Sequence, residues 1–401
     1  MRLLFIADGR SPTALQWLKY WPEKGHEVHL ISTYPCTTPS GLASFHVLPV
    51  AFGRMAGSQA GSHAHSVRRW GGVRGLRNRL LSLRYWLGPL GLPVYRSQFL
   101  RLLKEIRPDL VHALRIPFEG MLAAATPPGL PLAVSIWGND LTLHARGSFL
   151  MARLTCETLR RTDGLLADTA RDIRLAAEWG FSAEKPTLII PGAGGIRTDQ
   201  ISAPALEQES GVFPQELPHA PIVVNARGQR PGSLRQDVFF QAIPLVLEKV
   251  PQAFFICPSL GGDAESERWV ETLGIRPHTF LWPRLAQQTQ LWKLLQAAQV
   301  FVSPCLHDGT PNSLLEAMAC GCFPVVGDIA SMREWIQPGV NGLLADAASP
   351  RSLAEAVIKG LQDPQLRSTA KKENARIIAE RADYRRCMAM VEAFYSKLIA
   401  V

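Results

Sequence analysis

The sequence predicts an α/β protein of two doubly wound parallel-sheet domains, and three observations carry that expectation. Short apolar runs bounded by Gly, Pro or polar residues alternate with helical stretches from end to end. The alternation pauses between Ile196 and Pro221, where Pro, Ser and charge mix without periodicity. With 401 residues and 47% apolar content, the chain favours two or three domains over a single core.

The first domain, residues 1–197, reads as the strands "RLLFIAD", "EVHLIS", "DLVHAL", "LAVSIW", "GLLAD" and "PTLIIP". These runs are apolar throughout rather than alternating, the pattern of strands covered by helices on both faces. Residues 198–220 read as a linker. The series resumes over residues 221–378 with "PIVVNA", "AFFICPS", "TFLWP", "VFVSP" and "FPVVGD". Such sheets bind ligands at the carboxyl ends of their strands, so a central cleft faced by both domains is the expected site. The last stretch, 379–401, reads as a helix that either caps the second domain or returns to the first. Breaks are expected near Asp363-Pro364 and near Asp383.

No apolar run approaches the roughly 20 residues needed to cross a bilayer as a helix. The start, "MRLLFIADGR", reads as a first strand rather than a signal peptide, so a cytoplasmic location is expected. Seven cysteines without paired spacing read as reduced core thiols. The absence of an Asp-x-Asp pair or a His-x-x-x-His cluster makes metal-independent chemistry without a cofactor the expectation.

The formal net charge of +9 is unevenly placed, because no carboxylate occurs between Glu27 and Glu105. That interval holds Arg68, Arg69, Arg74, Arg77, Arg79, Arg84, Arg96, Arg101 and Lys104, with Trp70, Tyr85 and Trp86 interleaved. Three readings compete: a solvated face, an anionic acceptor or an anionic membrane surface met through residues 68–104 at the inner face of a membrane, and nucleic acid. Nucleic acid ranks last, for want of a recognisable binding module.

The most informative stretch is "HDGTPNSLLEAMACG", His307 to Gly321, directly after the buried strand "VFVSP". Gly309 offers backbone freedom for the turn, Thr310 a cap and Pro311 a first helical residue. The unpaired N–H groups and dipole of the helix "NSLLEAMA" then offer an anion seat. Asp308 precedes the helix and Glu316 lies about a turn and a half into it. A phosphate held by amides between two carboxylates suits a nucleotide sugar; an ordinary strand-to-helix turn is the plain alternative.

Asp308, Glu316 and "LLEAMACGCFPVVGD", continued by "SMREWIQPGVNGLLADAASPRSLAEAV", resemble the retaining family 4 glycosyltransferases, which have two Rossmann-like domains in the arrangement called GT-B. The resemblance implies a metal-independent hexosyltransferase that moves a sugar from a nucleotide donor, UDP- or GDP-linked ahead of ADP-linked, to a glycan or lipid-linked acceptor. It places Asp308 on the donor sugar and Glu316 on the ribose, with Gly309, Thr310, Pro311, Asn312, Ser313 and Leu314 around sugar and diphosphate. The family's Arg and Lys, which neutralise the leaving diphosphate, fall on Arg227 and on Arg235 or Arg230. Its middle-strand histidine falls on His112, although the second histidine is Leu114 here. Ser11 in "DGRSPTA" and Trp137 and Asp140 in "IWGND" take the acceptor side. The shorter Asp308 and the missing histidine keep two alternatives open: a non-catalytic sugar-nucleotide or membrane-surface binder, and an epimerase of the same fold.

Overall fold

The apolar runs become parallel strands covered on both faces. The computed structural model describes residues 1–51, 53, 83–202, 219–230, 232–283 and 287–400. The chain separates into two units, Met1–Gly194 with Arg386–Val401, and Gly195–Arg385.

In the first unit, β1 (Arg2–Ala7), β2 (Glu27–Ser32), β3 (Ser44–Val47), β4 (Leu110–Ala113), β5 (Leu132–Ile136), β6 (Gly164–Ala167) and β7 (Thr187–Ile189) form one sheet. Its order is β3-β2-β1-β4-β5-β6-β7. The edge strand β3, "SFHV", is short and only half-buried, so its sequence lacks the apolar signal of its neighbours. Helices α1 (Pro12–Glu23), α2 (Leu92–Ile106), α3 (Phe149–Arg161) and α4 (Ala170–Glu178) connect the strands. Strand residues alternate between two cores. Leu4, Ile6, Val111 and Val134 pack on one side with Phe99, Leu103 and Leu159. On the other side Phe5 meets Trp21 at 6.0 Å and His112 meets Trp17 at 5.6 Å between ring centroids.

In the second unit, β8 (Ile222–Val224), β9 (Phe254–Pro258), β10 (Thr279–Trp282), β11 (Val300–Ser303), β12 (Phe323–Gly327) and β13 (Leu343–Ala345) run in the order β10-β9-β8-β11-β12-β13. Helices α5 (Gln236–Leu247), α6 (Ala264–Thr272), α7 (Gln288–Ala297), α8 (Asn312–Cys320), α9 (Pro350–Gln362) and α10 (Pro364–Arg381) flank it. Val223, Phe255 and Val302 face one core, with Phe239 and Leu353. Val224, Ile256 and Phe301 face the other, with Leu314 and Met318. In both sheets the strand order reverses once, between β1 and β4 and between β8 and β11, which is where open α/β sheets seat ligands.

The second unit extends past residue 378. Ala370 and Ile378 of α10 are buried in its cores, and Asn374 Nδ2 donates to the Asn341 carbonyl at 3.0 Å. Ile196 also belongs to this unit, bridged to Asp383. The last helix, α11 (Tyr384–Ile399), contributes Arg386 onward to the first unit. There Tyr395 stacks on Trp21 at 4.7 Å, and Glu392 accepts from the Tyr20 hydroxyl at 2.7 Å.

Tyr395 also bonds His112 Nδ1, while His112 Nε2 lies 2.9 Å from Ser135 Oγ. Both His112 and Tyr395 have no exposed surface, and burial pushes the imidazole of His112 down to about 3. Tyr395→Phe keeps the ring stack and orphans one buried imidazole nitrogen. It is expected to destabilise the protein by about 1–3 kcal/mol. Urea denaturation measures this, and a loss indistinguishable from zero would remove the bond from the account.

Candidate functional site

The order reversal of the second sheet brings two loops together. After β8 comes Asn225-Ala226-Arg227; after β11 the chain runs through Asp308 to Pro311. Arg227 is only 5% exposed, and its Nη2 donates to Asp308 Oδ2 at 2.7 Å. Its other terminal nitrogen, Nη1, is buried and has no hydrogen-bond partner. Gln236, the first residue of α5, holds this loop: Asn225 Nδ2 donates to Gln236 Oε1, and Gln236 Nε2 donates to the Arg227 carbonyl, each at 2.6 Å. Ser331 Oγ donates to the Asp308 carbonyl at 2.7 Å and fixes the opposing loop. The packing behind that loop is tight enough that a Cβ on Gly327 would sit 2.1 Å from the Cys305 carbonyl oxygen.

The start of α8 differs in detail from the sequence expectation. Pro311, extended at φ −66 and ψ 126, occupies the N-cap position, and the helix has no side-chain cap. Thr310 therefore lies one residue before the cap, and its hydroxyl accepts from Trp335 Nε1 at 2.8 Å. Gly309 stays out of the left-handed region, and its N–H lies 3.1 Å from Asp308 Oδ1. Asn312 opens the helix, and Ser313 Oγ is buried without a hydrogen-bond partner. Leu314 drops out of the anion seat: its side chain is in the core and its N–H donates to the Pro311 carbonyl at 3.0 Å. A helix opening without a side-chain cap, beside a buried guanidinium with an open edge, attracts an anion.

Of the two candidates for the second cation, Arg230 stands in the field of this pair. Arg227 lowers its pKa and Asp308 opposes that, while the side chain itself is exposed. Arg235 is instead held by Asp237, with Nη2 to Oδ2 at 2.9 Å.

Glu316 is 8% exposed. Its Oε1 accepts from Trp292 Nε1 at 3.2 Å and from Gln288 Nε2. Burial lifts the carboxyl to about 7, against these two donors, which lower it. Neither Gln288 nor Trp292 is signalled locally, since both reach Glu316 from α7. Gln236 is visible only in hindsight, as the polar start of the helix "QDVFF".

In the first unit, His112 leaves the catalytic set: with both ring nitrogens engaged and no exposure, it offers nothing to a substrate. Ser11 caps α1, accepting from the Ala14 N–H at 3.4 Å. Asp140 is a buried brace: Arg115 Nη2 donates to Oδ1 at 2.6 Å, while the Ile116 and Trp137 N–H groups donate to Oδ2. Its burial raises the carboxyl, and Arg115 opposes that rise. Trp137 is half-buried, with the Arg115 guanidinium 5.7 Å from its ring centroid. Glu119, which no sequence motif signals, is buried and accepts from Thr33 Oγ1 at 2.7 Å; burial lifts its carboxyl to about 6.

Two Rossmann-like units, each a parallel sheet that reverses its strand order once, have the fold class called GT-B. Residues 222–377 match the family described as Glycosyl transferases group 1, and residues 8–192 match the Glycosyl transferase 4-like domain. The chain belongs to this family of glycosyltransferases. Over 91 residues it is 35% identical to the N,N'-diacetylbacillosaminyl-diphospho-undecaprenol alpha-1,3-N-acetylgalactosaminyltransferase of Campylobacter jejuni, covering 23% of this chain and 24% of that protein. It is 26% identical over 229 residues to the D-inositol 3-phosphate glycosyltransferase of Corynebacterium urealyticum, covering 54% of this chain and 53% of the relative. The chain thus spans about a quarter to a half of these curated relatives. The crystal structure of Anabaena HepE in complex with UDP aligns with a TM-score of 0.67 at 16% identity, covering 99% of this chain and 100% of that one. Among the described residues, no helix is long and apolar enough to cross a membrane.

Proposed function

We propose that the protein is a retaining, metal-independent hexosyltransferase that moves a sugar from a UDP- or GDP-linked donor to a hydroxyl of a glycan or lipid-linked acceptor. The observation that carries this reading is Arg227, a buried guanidinium with one edge on Asp308 and the other, Nη1, unpartnered. A buried donor without an acceptor is unfavourable, and a diphosphate at the start of α8 supplies the missing oxygens. HepE, which shares the fold, is described in complexes with UDP and with UDP-glucose, and this favours a uridine nucleotide here.

In this reading Arg227, Arg230 and the backbone from Gly309 to Ser313 receive the diphosphate. Asp308, oriented by Arg227, meets the donor sugar, and Glu316 accepts from the ribose hydroxyls. The bond between the anomeric carbon and the diphosphate oxygen breaks. The acceptor oxygen bonds to that carbon on the same face, and its proton passes to the departing phosphate oxygen. Arg227 and Arg230 stabilise the negative charge as it develops. On the acceptor side, Trp137 is available to pack on a sugar ring, with Arg115 and Asp140 holding its loop.

The test is NMR of the product formed from an α-linked UDP-sugar, with and without excess EDTA. An α-linked product at undiminished rate is expected. A β-linked product would overturn retention, and loss of turnover in EDTA would overturn metal independence. Donor binding without transfer across a broad acceptor panel would favour the non-catalytic alternative.

A further inference from the structure

The first unit carries an exposed apolar stripe on an element that is fixed from behind. Residues 83–87 are helical, and right-handed winding continues through Gly88 (φ −56, ψ −47) and Gly91 (φ −80, ψ −16) into α2. At about 100° per residue, Leu83, Trp86, Leu87, Leu90 and Val94 fall on one side of this winding. They are 48, 52, 43, 61 and 72% exposed. The opposite side, with Tyr85 and Leu92, is buried in the core of the unit. Tyr85 OH lies 2.8 Å from His144 Nδ1, and Ser148 Oγ donates to the Tyr85 carbonyl at 2.8 Å. Arg84 donates to Tyr34 OH, its guanidinium 4.8 Å from the Phe118 ring centroid. Single exposed apolar residues are ordinary; five at helical spacing on an anchored element are not.

Charge identifies what the stripe meets. Arg101 and Lys104 of α2 are exposed on the stripe's side of the winding, beside the exposed Glu105, and the sequence has no carboxylate between Glu27 and Glu105. Further basic residues, Arg68, Arg69, Arg74, Arg77 and Arg79, precede the stripe in sequence and lie outside the described residues. An apolar strip continued by cations fits a surface that is apolar within and anionic at its boundary. A second protein chain would need acidic groups arranged around an apolar groove.

We propose that Leu83, Trp86, Leu87, Leu90 and Val94 form a docking face for an anionic lipid bilayer. These side chains enter the headgroup–acyl boundary, and Arg101 and Lys104 contact lipid phosphates. Trp86 suits that boundary, with its large ring and one polar N–H. The attachment is peripheral, and it does not depend on the transfer reaction.

The experiment is flotation of the full chain with vesicles of phosphatidylcholine alone or containing about one-third phosphatidylglycerol, at low and high salt. The expected result is flotation with the anionic vesicles, weakened by salt. Trp86→Gln/Leu90→Gln/Val94→Gln should lower the partition coefficient at least about tenfold with an unchanged melting temperature, because all three positions are exposed. Arg101→Gln/Lys104→Gln should weaken binding and flatten its salt dependence. Absence of flotation with anionic vesicles overturns the proposal, as does an apolar triple variant that floats like the parent. A parent chain that fails to float but sediments as a dimer, with the triple variant monomeric, would assign the face to a second copy and overturn the lipid assignment.

Discussion

Turnover of Arg227→Ala at saturating donor is expected to fall by about a hundredfold or more, the loss that follows removal of one donor aimed at a developing negative charge. The reason lies in where the guanidinium sits. It is buried at the reversal between β8 and β11, holds Asp308 through Nη2 at 2.7 Å, and keeps Nη1 unpaired. Alanine removes the cation from the leaving diphosphate and the partner from Asp308 together. Truncating one member of a fully buried pair destabilises by roughly 3–5 kcal/mol. Here the loss should sit near or below the low end, because the Asp308 side chain is 18% exposed and keeps the Gly309 N–H.

Arg227→Lys separates the two effects. It retains the charge and loses the planar fork, so its turnover should lie between those of alanine and the parent while most of the stability returns. Steady-state kinetics and thermal melts on the three proteins make the comparison. An alanine variant within about threefold of the parent would remove Arg227 from the chemistry.

The sheets were legible because strands covered on both faces must be apolar throughout, and "VFVSP" or "RLLFIAD" leave no other economical reading. Edge strands escape that rule. β3 is half-buried and carries Ser44 and His46, and β13 is only "LLA". The turn from Asp308 to Ser313 was legible in kind, since its residues state where a strand ends and a helix begins. Its details were not legible: the cap position falls on Pro311, and the Thr310 hydroxyl accepts from the distant Trp335. Similarly, the partners of Glu316 come from α7, and Gln236 and Arg115 act through contacts no local spacing encodes. His112 shows the converse. A strand-end histidine is identical in sequence whether it meets substrate or, as here, Tyr395 and Ser135.

Glu316→Gln is expected to move stability and donor affinity in opposite directions. Burial holds the Glu316 carboxyl at about 7, above its ordinary 4.5. The folded state therefore binds more protons than the unfolded state between those values, and Glu316 contributes less stability as pH rises through that window. Glutamine does not titrate, and its Oε1 still accepts from Trp292 and Gln288. The variant should match the parent near pH 4 and exceed it by up to about 3 kcal/mol above pH 7, since a tenfold change in a proton-binding constant is worth about 1.4 kcal/mol. Donor binding should run the other way. A carboxylate accepts two ribose hydroxyls with charge assistance, and an amide oxygen offers one neutral acceptor, so Kd should rise about tenfold or more. Parent affinity should strengthen from pH 6 to pH 8 as Glu316 deprotonates, and variant affinity should stay flat. Urea denaturation at pH 5 and pH 8, with calorimetric titration of UDP-sugar at both sides of pH 7, reads both effects. A stability gap equal at the two pH values would show that Glu316 does not titrate there, and unchanged affinity would take it away from the ribose.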